Sequence, residues 1–182
     1  MNVFIVGPGG VGKSTSGKIL AQLLDYNCID LDLEFCNQIG NIGEYIRSQG
    51  YESYCHANSE LFYTLLKKHT QRMVWMLSSG FLVHEECSDL VHKHTQTIKK
   101  ELSILLLPSR SIDESEDIVV ERQLKRGFGL KEERERKKFR ERYVPYQSFG
   151  DVQIYSVEEP QVVAQEMLEE VARYVAEQGR SV

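Results

Sequence analysis

The sequence is short of the features that mark exported, metal-binding and membrane proteins. Its 182 residues include four cysteines, at positions 28, 36, 55 and 87, and no two of them form a C-x-x-C pair. Free thiols and an intracellular, cytoplasmic location are therefore expected. No apolar run is long enough to cross a membrane, so no membrane partner is expected. The net charge of −5 argues against a dedicated nucleic-acid binder.

What the sequence does contain is a phosphate-binding motif. Residues 7–14 read Gly-Pro-Gly-Gly-Val-Gly-Lys-Ser, a complete G-x-x-x-x-G-K-[ST] loop that directly follows the apolar run at 3–6. Glycines let several backbone N–H groups point at one anion, and a helix behind the loop turns its positive end toward the same phosphates. We expect Lys13 to reach the β- and γ-phosphates of ATP and Ser14 to bind Mg²⁺. A Gly-rich turn that binds nothing is the alternative, and the flanking strand and helix disfavour it.

The residues expected to bind the nucleotide form one continuous run along this loop. They are Gly9, Gly10, Val11, Gly12, Lys13, Ser14 and Thr15.

Apolar strands alternate with helical patterns along the whole chain. Strand-like runs lie at 3–6, 73–77, 102–107 and 152–155, with a short one at 28–29. Helical patterns cover 14–24, 43–48 leading into 58–69, 85–99, 113–125 and 161–175. This alternation predicts an α/β protein, a three-layer α/β/α sandwich around a parallel sheet. The length suits one domain over 1–182, and a monomer is favoured although the sequence leaves the oligomeric state open.

A second constellation follows the first predicted helix. Asp30 and Asp32 stand two residues apart after the short apolar segment, and at a strand end both carboxylates would project to the same side. In a nucleotide site one acid can hold the Mg²⁺ shell while the other accepts a proton from an attacking hydroxyl. A polar turn after a strand is the alternative reading, and the position one helix after the phosphate loop favours the functional one.

The charge is concentrated in one segment. Between positions 122 and 142 there are ten Lys or Arg residues and four Glu residues. Three interpretations stay open: a solvated helix with interleaved ion pairs, a basic flap that closes over phosphates, and a nucleic-acid arm. Two glycines at 127 and 129 suit the hinge of a mobile lid. His92 and His94 diverge on a helix, and a surface role is expected for both.

These motifs, in this order, resemble those of shikimate kinase and its relatives among the small P-loop metabolite kinases. The resemblance spans nearly the whole chain. It rests on the phosphate loop, the Asp30–Asp32 pair, Gly40-x-Ile42-x-Glu44-Tyr45-Ile46, Gly50 with Tyr54, Ser78-Ser79-Gly80, the basic segment from Arg122, and Glu141-Arg142 to Tyr146 with Gly150-Asp151. It implies a nucleoside monophosphate kinase-like P-loop fold with a lid at about 122–138.

The resemblance also implies roles for particular residues. Arg142 stands where the family has the arginine that pairs with the substrate carboxylate, and Gly80 stands where backbone approaches the substrate. We expect Asp30 to support the metal and Asp32 to take the proton of the acceptor hydroxyl. Arg122 or Arg126 would close with the lid and offset charge on the transferring phosphoryl group.

Three departures from the family pattern fall on the acceptor side. The family's Phe-Arg dipeptide reads Tyr54-Cys55, so one carboxylate-binding arginine is absent, and the glutamate that follows is Asn58. The Gly-Gly-Gly turn reads Ser79-Gly80-Phe81, and we expect Phe81 to add apolar bulk there. Arg47 is a candidate replacement cation, although a solvated helix position is the favoured interpretation.

The expected activity is ATP- and Mg²⁺-dependent transfer of a phosphoryl group to a hydroxyl of a small, carboxylated metabolite. Shikimate itself is expected to be a poor acceptor. Two alternatives remain: a nucleotide-binding pseudo-kinase that acts through a partner, and a nucleic-acid-associated P-loop protein that uses the basic lid.

Overall fold

A computed structural model describes residues 1–125 and 129–179 of the chain. Arg126 and Gly127, which the sequence places in a lid, lie outside the described residues. Within the described part, no helix has both the length and the apolar character needed to span a membrane.

Five parallel strands form the central sheet, in the order β2-β3-β1-β4-β5. The strands are β1 (Val3–Val6), β2 (Asn27–Asp30), β3 (Met73–Met76), β4 (Leu102–Leu107) and β5 (Val152–Tyr155). Every residue of β1, β3 and β4 is buried, as expected for strands that are covered on both faces. The predicted parallel sheet is confirmed.

Eight α-helices and a short 3₁₀ turn join the strands within the described residues. They are α1 (Lys13–Leu24), α2 (Leu31–Gln38), α3 (Ile42–Gln49), α4 (Tyr51–Lys68), the turn Glu85–Cys87, α5 (Ser88–Ile98), α6 (Ile112–Leu124), α7 (Glu132–Tyr146) and α8 (Pro160–Gln178).

Successive side chains of the inner strands point to opposite faces of the sheet, and on each face they pack against a layer of helices. Phe4 and Trp75 turn toward α4, where both rings pack against Phe62. The next residues along their strands turn to the opposite face. There Ile5 and Met76 approach the α1 backbone so closely that Gly17 has no room for a Cβ atom. The chain is thus the expected three-layer α/β/α sandwich.

Helices on both sides of residue 40 extend beyond what the sequence pattern predicts. The polar segment after Asp30 forms α2, because the Asp30 side chain caps it through the N–H groups of Asp32 and Leu33. Helix α4 begins seven residues before the predicted helix at 58, directly after Gly50, whose φ of 88° interrupts the helical path from α3. These two helices form one wall of the largest cavity described below.

Candidate functional site

The phosphate loop lies between β1 and α1, at the carboxyl end of the central strand. Gly12 has a φ of 101° and forms the N-terminal boundary of α1, a conformation that favours glycine. Helix α1 therefore turns its N–H groups into the loop. The Lys13 ammonium lies over the loop and donates hydrogen bonds of 2.7 Å each to the carbonyl oxygens of Gly7 and Pro8.

A cavity of about 70 Å³ lies inside this loop, and we call it the loop cavity. Residues from the loop, from β2 and α2, and from the end of β3 line it: Gly10, Gly12, Lys13, Ser14, Thr15, Asp30, Asp32, Met76 and Leu77. The two carboxylates that the sequence singled out thus share one small space with Lys13 and Ser14.

The two carboxylates reach this cavity by a different route from the one the sequence suggested. Asp30 ends β2, whereas Asp32 lies in the first turn of α2, so they do not alternate along one strand. Both cap hydrogen bonds, of 3.2 and 3.3 Å, go to Oδ1 of Asp30. Asp30 therefore has a structural task as well as a place in the cavity.

The donor atoms around the loop cavity suit Mg²⁺. The Ser14 hydroxyl and the Asp30 and Asp32 carboxylates are hard oxygen donors. No group of three or more His, Cys, Asp or Glu side chains within 1–125 and 129–179 could hold a metal ion by itself. Mg²⁺ is usually bound by only one or two protein side chains, and phosphate oxygens of the substrate complete its coordination.

A second cavity, of about 310 Å³, opens on the other side of the loop, and we call it the β5 cavity. The loop and the segment after β5 line it: Gly10, Val11, Gly12, Thr15, Ser16, Arg122, Ser156, Val157, Glu158, Glu159, Pro160 and Val163. Arg122 lines this cavity, because the last turn of α6 carries it to the β5 side of the loop. Its contact with the transferring phosphoryl group stays a prediction. Arg126, the other candidate, lies outside the described residues.

The largest of these spaces, about 440 Å³, lies beside α7, and we call it the α7 cavity. Helices α2, α3, α4 and α7 and the turn after β3 line it: Asp32, Ile42, Ile46, Tyr51, Tyr54, Ser79, Gly80, Arg134, Lys137, Lys138, Glu141 and Arg142. All three residues predicted to bind the substrate, Asp32, Gly80 and Arg142, are among them. Asp32 lines both this cavity and the loop cavity.

Hydroxyl groups hold Arg142 at the edge of the α7 cavity. Its guanidinium donates to Ser79 Oγ at 2.8 Å and to the Tyr51 hydroxyl at 3.0 Å. The Tyr51 hydroxyl lies 2.9 Å from His84 Nδ1. A Cβ atom on Gly80 would come within 2.7 Å of both the Tyr51 hydroxyl and His84 Cε1, so this cluster requires glycine there.

Burial sets the protonation of this cluster. It lowers the pKa of His84 to about 4, with Arg142 acting in the same direction. Burial raises the pKa of Tyr51, although Arg142 opposes that change. Tyr51 and His84 are therefore neutral near pH 7, and Arg142 carries the charge.

A smaller cleft, of about 10 Å³, separates α7 from the start of the phosphate loop, and we call it the Gly9 cleft. Its walls are Pro8, Gly9, Val119, Val120, Gln123, Glu135, Lys138, Phe139 and Arg142. The run expected to bind the nucleotide is thus distributed over three neighbouring spaces, with Gly9 on the side nearest α7.

Helix α7 has two basic faces with different partners. Arg136 donates to Asp117 and Glu116, and Arg140 donates to Glu116 and Asp113, so both side chains bind α6. Arg134, Lys138 and Arg142 recur at every fourth residue and line the α7 cavity. The first face is thus held by ion pairs to α6, whereas on the second face Lys138 pairs with Glu135 of its own helix at 3.7 Å.

The three departures on the acceptor side are all buried in the core. Cys55 lies beside Cys87. Its pKa is raised to about 12, mainly by burial and secondly by Cys87. Asn58 donates to Ser78 Oγ at 3.0 Å. The expectation that Phe81 adds bulk to the acceptor side is wrong. Phe81 is 1% exposed, and its ring stacks on the His94 ring with the two centroids 3.8 Å apart.

His94 is the second correction in this region. The ring is buried, not at the surface, with Nε2 at 2.8 Å from Ser59 Oγ and Nδ1 at 3.0 Å from the Phe81 carbonyl oxygen. Arg47, by contrast, is exposed on α3 and does not line the α7 cavity. This agrees with the interpretation of Arg47 as a solvated helix residue.

Tyr51, His84 and Lys138 are members of the site that the sequence analysis did not single out. The four-residue spacing of Arg134, Lys138 and Arg142 was visible in the sequence and could have marked a common helix face. No comparable signal pointed to Tyr51 or His84, since they come together only through the packing of α4 against the turn after β3.

Comparison with known proteins places the chain in a family. A family model described as "Shikimate kinase" matches residues 9–172. Shikimate kinase 2 of Yersinia enterocolitica is 29% identical over 117 residues, which are 63% of this chain and 65% of that protein. A pentafunctional AROM polypeptide of Eremothecium gossypii is 31% identical over 116 residues, which are 63% of this chain and 7% of that polypeptide. The match therefore covers less than two thirds of either relative's length.

Solved structures share the fold. A shikimate kinase from Acinetobacter baumannii, solved in complex with shikimate, superposes with a TM-score of 0.74 at 20% identity, covering 95% of this chain and 93% of that chain. A deoxyadenosine kinase from M. mycoides with bound dATP gives a TM-score of 0.66 at 13% identity, covering 94% and 100%. With the family match over residues 9–172, the chain belongs to the shikimate kinase family.

Proposed function

We propose that the protein is an ATP-dependent kinase that phosphorylates a hydroxyl group of a small, carboxylated metabolite. One observation carries this proposal: Asp32 lines both the loop cavity and the α7 cavity. A carboxylate at that junction can reach a hydroxyl in the α7 cavity while a nucleotide occupies the loop. The relatives named shikimate kinase support the same activity.

On the donor side, the N–H groups of Gly9 to Lys13 hold the phosphates and the Lys13 ammonium spans the β- and γ-phosphates. To do so, Lys13 exchanges its hydrogen bonds to the Gly7 and Pro8 carbonyl oxygens for phosphate oxygens. Ser14 and Asp30 hold Mg²⁺, which neutralises charge on the phosphates when it is bound. The nucleoside occupies the β5 cavity, next to Arg122 and the segment after β5.

On the acceptor side, Asp32 orients the hydroxyl and accepts its proton. Arg142 binds the carboxylate of the acceptor. Its present partners, Ser79 and Tyr51, are neutral hydroxyls, so its positive charge is uncompensated by them. A carboxylate would form a stronger, charge-assisted contact with the guanidinium. The Gly80 backbone forms part of the wall that the acceptor approaches.

The segment 122–138 serves as a lid in this proposal. Its described parts are the end of α6 and the first half of α7, and both border the cavities around the phosphate loop. Closure over bound nucleotide would exclude water from the transferring group.

Turnover of ATP by the purified chain with a panel of small hydroxy acids tests the proposal. The expected result is ADP formation that depends on one acceptor, with a product heavier by one phosphoryl group in mass spectrometry. Nucleotide binding without transfer to any acceptor would instead favour the pseudo-kinase. Salt-sensitive binding of RNA or DNA would favour the nucleic-acid alternative.

A further inference from the structure

We propose that Lys138 binds the γ-phosphoryl group of ATP and stays in contact with it during transfer. The inference rests on the kinase activity proposed above. It supplies a contact that the sequence had assigned to Arg122 or Arg126.

The first reason is the position of Lys138 between the two substrates. Its side chain lines the α7 cavity and also the Gly9 cleft, which borders the phosphate loop. Arg142 borders both spaces too, but hydrogen bonds to Ser79 and Tyr51 hold it on the acceptor side. At about 10 Å³ the cleft is too small for a phosphoryl group, so it shows how closely α7 approaches Gly9. The phosphoryl group lies where the loop cavity meets the α7 cavity.

The second reason is the charge of this surface. Among the described residues, the carboxylate that pairs with Lys138 is that of Glu135, at 3.7 Å, which is beyond hydrogen-bond distance. Burial, and then the charge of Arg142, lower the pKa of the Lys138 ammonium, although Glu135 opposes that change. Two neighbouring cations that are partly withdrawn from water favour an incoming anion, which relieves their repulsion.

The third reason is the direction in which the other basic side chains point. Arg122 lies in the β5 cavity, on the far side of the loop from the acceptor. Arg136 and Arg140 are bound to the acids of α6. Within the described part of the segment 122–138, Lys138 therefore borders both Gly9 and the α7 cavity, where we place the acceptor.

In the reaction, the acceptor oxygen forms a bond to the γ-phosphorus while the bond from that phosphorus to the bridging oxygen of ADP breaks. The hydroxyl proton passes to Asp32. Lys138 stays protonated throughout and offsets negative charge on the equatorial oxygens, as positive clamps do in phosphoryl transfer.

Calorimetric titration of the 182-residue protein tests this contact without an acceptor. Two Mg²⁺-nucleotide probes are compared: ADP, and the ATP analogue with a β,γ-imido bridge. Lys138→Met keeps the apolar stem and removes the charge. We expect roughly ten- to a hundredfold weaker binding of the analogue, with ADP affinity within about twofold of wild type. Lys138→Arg should restore most of the loss.

Lys131→Met is the matched control. Lys131 directly precedes α7, its side chain is exposed, and it lines none of the four spaces described above. An equal loss for ADP and the analogue, an equal loss in Lys131→Met, or no loss in Lys138→Met would overturn the inference. Normal nucleotide binding by wild type without transfer to any acceptor would count against the kinase instead. If wild type binds neither nucleotide, both proposals fail.

Discussion

Arg142 donates a hydrogen bond of 3.0 Å to the hydroxyl of Tyr51 at the edge of the α7 cavity. Because a guanidinium cannot accept, the Tyr51 oxygen is the acceptor, and its own hydrogen can bond to His84 Nδ1, at 2.9 Å, in the tautomer in which that nitrogen carries no hydrogen. His84 can accept it because burial lowers its pKa to about 4 and keeps the ring neutral. The polar chain Arg142–Tyr51–His84 thus links a charged donor to a neutral ring, and it holds the guanidinium that we assign to the acceptor carboxylate.

Tyr51→Phe should loosen Arg142 without removing its charge. The guanidinium keeps Ser79 and loses the Tyr51 hydroxyl, a loss of about 0.5–1.5 kcal/mol in a typical case. We expect KM for the acceptor to rise roughly three- to tenfold, with kcat and ATP affinity little changed. Steady-state kinetics with the acceptor varied at saturating ATP would measure this.

Tyr63→Phe is the control for this prediction. It removes a hydroxyl that bonds to Thr97 Oγ1 at 3.0 Å, and it lines none of the four spaces around the site. A lower kcat at unchanged KM in Tyr51→Phe would contradict the positioning role and indicate a contact made in the transition state.

Lys13→Ala should abolish ATP turnover while leaving the fold intact. The change removes the charge that we place on the β- and γ-phosphates, together with two hydrogen bonds to the loop carbonyls. Lys18→Ala, an exposed lysine on the same helix, should behave as wild type. Circular dichroism and a thermal melt would separate lost activity from lost structure. Near-full activity in Lys13→Ala would overturn the assignment of the loop.

Asp32→Asn should reduce kcat by roughly 10²–10⁴-fold if proton removal is catalytic, and ATP affinity should change little. Asp30→Asn is the informative comparison, because asparagine caps a helix about as well as aspartate, so α2 should remain formed. That variant should weaken Mg²⁺-dependent ATP binding. The opposite pattern, with ATP binding lost in Asp32→Asn and spared in Asp30→Asn, would mean that the two roles are reversed.

The donor side of the site could be predicted from the sequence because its residues are consecutive. The geometry of a phosphate loop between an apolar strand and a helix is set by the loop sequence itself. All residues from Gly9 to Thr15 accordingly border the Gly9 cleft, the β5 cavity or the loop cavity. Asp30 and Asp32 also lie beside the phosphate loop, as predicted, although the helix cap that positions them was not evident from their spacing. The parallel sheet followed from the alternation of strands and helices along the chain, whereas the order of its strands was not predicted.

The acceptor side could not be predicted in the same way, because its residues meet only through tertiary packing. Nothing local to Phe81 indicates that it stacks on His94 in the core, thirteen residues away. His84 joins Tyr51 across 33 positions of the chain. The basic segment could not be resolved for another reason: its composition did not show that one face of α7 contacts acids on α6 while the other borders the α7 cavity.

Shikimate should be a poor acceptor for this protein. The position that carries an arginine in the family pattern is Cys55, which is buried beside Cys87. A lost charge-assisted contact of about 1.5–3 kcal/mol lowers binding roughly ten- to a hundredfold. The measurement is kcat/KM for shikimate against the best acceptor of the hydroxy-acid panel. Because an arginine at 55 would be forced into the core, Cys55→Arg is not a suitable repair.

Efficient use of shikimate, at about 10⁴–10⁸ M⁻¹s⁻¹, would contradict this expectation. It would mean that another cation binds the carboxylate in place of the missing arginine. Arg134 would then be the first to substitute, since it lines the α7 cavity whereas Arg47 does not.

The stability of the protein should fall as the pH drops from about 6.5 to 4. Burial lowers the pKa of both His84 and His94 to about 4, from an ordinary value of 6.5. Over that interval the unfolded chain binds more protons than the folded one, so the free energy of unfolding rises with pH. Each histidine contributes a slope that approaches about 1.4 kcal/mol per pH unit, and above pH 6.5 its contribution is complete. Urea unfolding at pH 7.5 and 5.5 should therefore differ by about 1 kcal/mol for each histidine.

His94→Gln removes one of these two titrations, so the pH dependence should become shallower by about half in this interval. The absolute stability will also change, because the ring stacks on Phe81 and bonds to Ser59. The informative quantity is therefore the difference between the two pH values within each variant. His92→Gln provides the control two residues away, where the ring is exposed and bonds to Gln96. A slope in His94→Gln equal to that of His92→Gln would show that His94 does not remain neutral in the folded protein.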